Sequence, residues 1–147
     1  LLNKKKLTNW FIAYGTLLGI IRDNNTIDGD DDVDIIIDIE YKDQLVDILK
    51  ENNYILTIEN NNILQTKENN EYASIDFYLS NIDSYGNYND TWSKIKWKNC
   101  NDLKTIMWNN VYLKIPNDPI SKLRNRYGET WYIKQDVKVP YEKINEI

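Results

Sequence analysis

The run from Asp30 to Asp38, Asp-Asp-Asp-Val-Asp-Ile-Ile-Ile-Asp, constrains this chain more than any other segment. From Asp32 to Ile39, the residues Val33, Ile35, Ile37 and Ile39 alternate with Asp32, Asp34 and Asp38, the period-two pattern of a strand rich in β-branched residues. Residues two apart on a strand point the same way and lie roughly 6.7 Å apart along it. Asp30, if extended, joins Asp32 and Asp34 on that side. Bare carboxylates brought to about 4 Å repel by about 4 kcal/mol at an effective dielectric near 20. A divalent cation reverses that sign, and magnesium is usually held by one or two protein carboxylates together with substrate phosphates. A solvated loop accounts for Asp28 and Asp31 but not for Asp34, enclosed between Val33 and Ile35. A calcium loop of the EF-hand kind also fails, because placing Gly29 sixth puts Ile35 where the pattern needs glutamate.

Composition narrows the chemistry further. The 147 residues include no histidine and one cysteine, Cys100. Ser-His-Asp and Cys-His nucleophiles, histidine-ligated zinc, cysteine metal clusters and internal disulfides are thereby excluded. Carboxylates, hydroxyls, lysines and a hard cation held by oxygen remain. The net charge is -5, and six aspartates between Asp28 and Asp38 account for it, leaving the rest of the chain close to neutral. A local acidic knot of this kind points to a site, and no basic surface suits nucleic acid. Lys4, Lys5 and Lys6 read as a solvated helix face. Asn, Ile and Lys are overused, which reads as a genomic composition effect, so the Asn-rich stretches carry little structural weight. No segment has the length of a membrane span or the layout of a signal peptide. A cytoplasmic location is expected, although a chain that begins at Leu1 can be part of a longer protein.

The length suits one domain, 1–147, and the pattern of elements is α+β with a mixed sheet. A short polar helix over 1–9 leads to a buried strand, Trp10 to Tyr14. Gly15-Thr16 interrupts it, and an apolar helix follows to Arg22. After the aspartate strand, Tyr41, Leu45, Ile48 and Leu49 mark an amphipathic helix. Residues 54–59 and 63–67 form a hairpin, and 73–79 is a strand with Ile75, Phe77 and Leu79 opposite Asp76. Residues 81–110 carry no assignment, 111–115 is a strand, and Asp118-Pro119 opens a helix that buries Ile120, Leu123 and Tyr127 and stops at Gly128.

These elements define a candidate site. Asp30, Asp32, Asp34 and Asp76 are the expected ligands of Mg²⁺ or Mn²⁺, and Asp32, Asp34 and Asp76 the catalytic set. Three carboxylates from two strands suit metal-assisted phosphoryl transfer. Gly15 permits close approach to phosphates, and the Thr16 hydroxyl and neighbouring amides can donate to them from a helix N-terminus. Arg22 is a candidate for donor phosphate, with a salt bridge to one of the six aspartates as its alternative. Trp92, Trp97, Trp108 and Trp131 can stack on sugars, but large aromatics in a small domain are mostly core.

The segment from Tyr14 to Arg22, Tyr-Gly-Thr-Leu-Leu-Gly-Ile-Ile-Arg, followed after a spacer by Asp30 to Asp34, resembles the signature of the LicD/fukutin family of the nucleotidyltransferase-fold superfamily. Ser74-Ile75-Asp76-Phe77 resembles that family's strand with the third acidic residue. Ile115-Pro116, Leu123, Tyr127-Gly128 and Trp131 resemble its closing segment, so the likeness spans nearly the whole chain. Asp28-Gly29 stand where the family commonly has Pro-Trp, and the cysteine-rich zinc element of some animal relatives is absent. The resemblance implies a nucleotidyltransferase-like mixed sheet flanked by helices. It also implies transfer of a phospho-substituent, phosphocholine or an alditol phosphate, from a CDP-linked donor to a glycan hydroxyl. Two alternatives stand beside this expectation: transfer of a whole nucleoside monophosphate from an NTP to a small molecule or protein, and a catalytically inactive nucleotide- or glycan-binding module.

Overall fold

Buried along most of its length, the aspartate strand takes an interior place in a sheet, between two partner strands. In a computed structural model describing residues 1–134 and 145–147, this strand is β2 (Asp32–Asp38). It pairs antiparallel with β1 (Trp10–Ile12) and parallel with β5 (Ser74–Ile82). The hairpin β3 (Leu56–Glu59) and β4 (Ile63–Thr66) continues the sheet in the order β1-β2-β5-β4-β3. Two three-residue strands, β6 (Tyr88–Asp90) and β7 (Ile95–Trp97), extend it from the end of β5. A separate hairpin is formed by β8 (Lys104–Trp108) and β9 (Val111–Ile115).

The helices cover this sheet as the apolar periodicity dictates. Helix α1 (Tyr14–Asp23) follows β1 directly. Helix α2 (Lys42–Glu51), after a 3₁₀ turn at Ile39–Tyr41, buries Leu45, Val46, Ile48 and Leu49 within the crossover between parallel strands. Helix α3 (Pro119–Tyr127) starts at Asp118, whose side chain accepts from the Ser121 amide at 3.1 Å, and ends at Gly128 with φ of 88°. One contiguous core joins Phe11, Leu17, Ile36, Leu49, Leu64, Leu79 and Trp97.

Several elements differ from expectation. Residues 1–9 hold only a single turn, closed by the Lys5 amide on the Leu1 carbonyl, too short to propagate a helix. Tyr14 opens α1 rather than ending β1. In α3 it is Lys122, not Ile120, that turns inward: Ile120 is exposed, while the Lys122 ammonium donates to the Lys98 and Ile147 carbonyls. The unassigned 81–110 stretch contains three short strands, β6, β7 and β8, and tight turns at Gly86 and Lys94, both with positive φ, connect β5 to β6 and β6 to β7. In the β8–β9 turn Asn109 and Asn110 both have positive φ, 47° and 63°, as a two-residue primed hairpin requires.

Gly19 sets how α1 meets the loop that returns to β2. A Cβ there would lie 2.5 Å from the Asn25 carbonyl oxygen and 3.0 Å from the Ile27 nitrogen. Both atoms are backbone and cannot rotate away. Gly19→Ala is expected to destabilise by about 1–3 kcal/mol, outweighing the gain of about 1 kcal/mol in helix propensity. Denaturant unfolding measures this, and an Ala variant as stable as the parent refutes the close packing.

Candidate active site

Strand register assembles the carboxylates. In the parallel β2–β5 pair Asp34 lies directly opposite Asp76, and Asp32 opposite Ser74. One carboxylate oxygen from each of Asp32, Asp34 and Asp76 falls within 4.8 Å of the others. Asp30, Asp31 and Asp32 form a second such group, so Asp32 belongs to both. Asp34 and Asp76 are buried, Asp30 and Asp32 half-buried and Asp31 exposed. The four expected ligands are therefore neighbours. Asp31, which reads as a loop residue in the sequence, joins them because the chain turns at Gly29 before entering β2.

The remaining expected residues divide. Gly15 borders the site: a Cβ there would lie 3.0 Å from Asp30 Oδ2 and 3.6 Å from Asp34 Oδ2. Thr16 is buried and engaged with Asp34. Its hydroxyl accepts the Asp34 amide at 2.8 Å, and its amide and hydroxyl face Asp34 Oδ2 at 3.4 and 3.5 Å. Its hydroxyl is thus turned to a carboxylate. Arg22, near the far end of α1, makes a two-pronged pair with Asp23 at 2.8 and 2.9 Å, and Lys134 lies 3.9 Å from the same carboxylate. Arg22 thus pairs with Asp23 and not, as the alternative had it, with one of the six clustered aspartates. Asp38 is also set apart: it accepts from Asn9 and from the Glu40 amide and caps the 3₁₀ turn. Among the tryptophans, Trp97 is core and Trp92 exposed.

Two residues not singled out from the sequence touch the site. The Tyr78 hydroxyl donates to Asp34 Oδ1 at 3.1 Å, and the Gln65 amide donates to Asp76 Oδ1 at 2.8 Å. Tyr78 stands two residues after Asp76 on the same face, which the period of the strand makes visible. Gln65 is opposite Asp76 only through the β4–β5 register. Behind Tyr78, the Tyr14 ring packs edge-on at 5.0 Å and its hydroxyl donates to buried Asp90 at 2.5 Å.

Burial, and next to it the neighbouring aspartates, pushes Asp34 up to about 6. Asp30 is pushed up to about 7, again by burial first and then by Asp32 and its neighbours. Asp76 is also raised, chiefly by burial, against the hydrogen bond from Gln65. Two ionised carboxylates within 4.8 Å repel by at least about 3.5 kcal/mol at an effective dielectric near 20. No lysine or arginine ion pair found among the described residues involves them. An all-oxygen set with surplus negative charge suits a hard cation, and the group can hold a metal ion.

The pH dependence follows with a definite sign. Raised carboxylates bind protons more tightly in the folded state, so the stability they contribute is present below about pH 4 and lost as pH rises to about 7. In EDTA the melting temperature should fall between about pH 5 and 7.5. A divalent cation should flatten or reverse that slope, since it binds the ionised form. Parallel slopes with and without Mg²⁺ would count against cation binding here.

A model described as LicD/FKTN/FKRP, nucleotidyltransferase domain, matches residues 8–145. The chain belongs to this family. Among individually curated proteins no sequence match is found. Of solved structures, the lincomycin-bound lincosamide antibiotic adenylyltransferase LnuA is similar, with a TM-score of 0.60 at 15% identity, over 83% of this chain and 77% of that one. At that identity the likeness establishes the fold: a mixed α+β nucleotidyltransferase architecture. LicD-family membership and fold together suggest a transferase. No helix among the described residues is long and apolar enough to cross a membrane.

Proposed function

We propose that the chain is a single catalytic domain, residues 1–147, acting as a metal-dependent phosphotransferase. It moves a phospho-substituent, such as phosphocholine or an alditol phosphate, from a CDP-linked donor to a glycan hydroxyl. The observation that carries the reading is the convergence of Asp32, Asp34 and Asp76 from two parallel strands. Family membership supports the donor and acceptor classes.

Asp32, Asp34 and Asp76 would hold Mg²⁺ or Mn²⁺, with Asp30 adjoining. Such an ion, when bound, supplies neutralising charge for phosphate oxygens. The side chains do the rest. One carboxylate, Asp76 in this reading, orients the acceptor hydroxyl and takes its proton as the oxygen attacks phosphorus and the bond to the departing CMP breaks. Gly15 leaves room beside Asp30 and Asp34 where a side chain would intrude. The α1 N-terminus faces the same carboxylates, and its dipole favours negative charge there.

A second reading, nucleoside monophosphate transfer from an NTP, is favoured by the likeness to an adenylyltransferase fold. Products separate the two. Incubation with CDP-choline, CDP-ribitol or CDP-glycerol and Mg²⁺ should release CMP in the presence of a glycan acceptor. Pyrophosphate release from an NTP would establish the second reading. Nucleotide binding without either product would make the domain a binding module.

A further inference from the structure

Each of the two buried carboxylates of the site has one oxygen claimed by a neutral donor. Gln65 takes Oδ1 of Asp76 at 2.8 Å, and Tyr78 takes Oδ1 of Asp34 at 3.1 Å. Each donor has a further contact of its own. On the far side of the Gln65 amide the Thr57 hydroxyl lies 3.2 Å from Oε1 and 3.3 Å from the Gln65 carbonyl, sharing its proton between them and linking β3 to the amide that reaches Asp76. Tyr78 is packed edge-on against Tyr14, which is anchored in turn on Asp90. Because both donors are uncharged, they occupy lone pairs without neutralising the site, unlike a lysine or arginine in the same place. Among the described residues, the second oxygen of Asp34 has only the long contacts from Thr16.

We propose that Gln65 and Tyr78 are specificity-determining positioning residues, which make Asp76 and Asp34 present a single oxygen each and so select a small octahedral cation over calcium. The inference rests on the metal-site reading above. Calcium takes six to eight oxygens and gains from carboxylates that bind through both, whereas magnesium requires near-octahedral single-oxygen contacts. Hydrogen-bonded partners behind metal ligands typically change metal affinity by about 10–100-fold when removed. Here the change is expected to be unequal. Releasing the second oxygen should weaken the magnesium geometry while giving calcium an additional contact.

Calorimetric titration of the full chain with MgCl₂ and with CaCl₂ tests this, using the parent, Gln65→Met and Tyr78→Phe. The melting temperature in EDTA certifies that each variant is folded, and two variants on different strands guard against one failing to fold. Each should lower the Mg²⁺-to-Ca²⁺ affinity ratio by about 10-fold or more. Equal weakening of both ions, or no change in either, overturns the proposal and leaves the metal site standing. A parent protein that binds neither ion overturns the metal-site reading itself, and the proposal with it.

Discussion

Asp34→Asn should lower transfer activity by at least about a thousandfold, equivalent to about 4 kcal/mol of lost transition-state stabilisation, while raising the melting temperature of the metal-free protein. The two effects have one cause. Asp34 is buried beside Asp32 and Asp76, with carboxylate oxygens within 4.8 Å, and is raised to about 6 because ionisation there is unfavourable. Asparagine keeps an oxygen for the Tyr78 hydroxyl and removes the charge. The repulsion that Asp34 adds against Asp32 and Asp76 in the metal-free protein disappears, and so does one of the charges that a cation needs. Thermal shift with and without Mg²⁺ checks the stability half: the variant should be the more stable in EDTA and gain nothing from the ion. An asparagine variant that gains as much from Mg²⁺ as the parent would remove Asp34 from the metal site.

The second large effect concerns Asp76. Asp76→Asn should lower turnover by about 10²–10⁴-fold, the usual contribution of a positioned general base. Asparagine can still accept the Gln65 amide through its own oxygen, so the β4–β5 pairing and the fold should survive. Donor affinity distinguishes its roles. As a base, Asp76 meets the acceptor proton only in the transition state, and the donor dissociation constant should hardly change. As a metal ligand, its loss weakens donor binding too, because the phosphates are held through the ion. Steady-state kinetics alongside donor calorimetry separates these outcomes, and unchanged turnover would make Asp76 a structural residue.

How much of this was legible in the chain varies residue by residue. Alternation in β2 and β5 is a local property of the backbone, so Asp32, Asp34 and Asp76 could be placed on one side of their strands from spacing alone. Whether those sides face each other depends on register, and only the Asp34–Asp76 pairing decides that. Gln65 escapes a reading of spacing because its partner is eleven residues away across a hairpin. The asparagines carried a signal that composition concealed. Treated as genomic bias, they include Asn24, Asn53, Asn99, Asn109 and Asn110, all at positive φ, a conformation that asparagine tolerates better than most residues.

By itself the sequence determined the chemistry available: no histidine, no cysteine cluster, and carboxylates concentrated on one strand and its neighbour. It also determined the elements whose signals are short-range, namely the α2 stripe, the Asp118-Pro119 start of α3 and its glycine stop. Tertiary structure decided which charges meet and which do not. Arg22 pairs with Asp23 beside it, Thr16 turns to Asp34, Asp38 caps a turn, and Asp31 joins the site from a loop. The Thr16–Asp34 contact joins segments far apart in the chain and exists only once the sheet has closed around β2, whereas the Arg22 and Asp38 contacts are local choices that spacing left open.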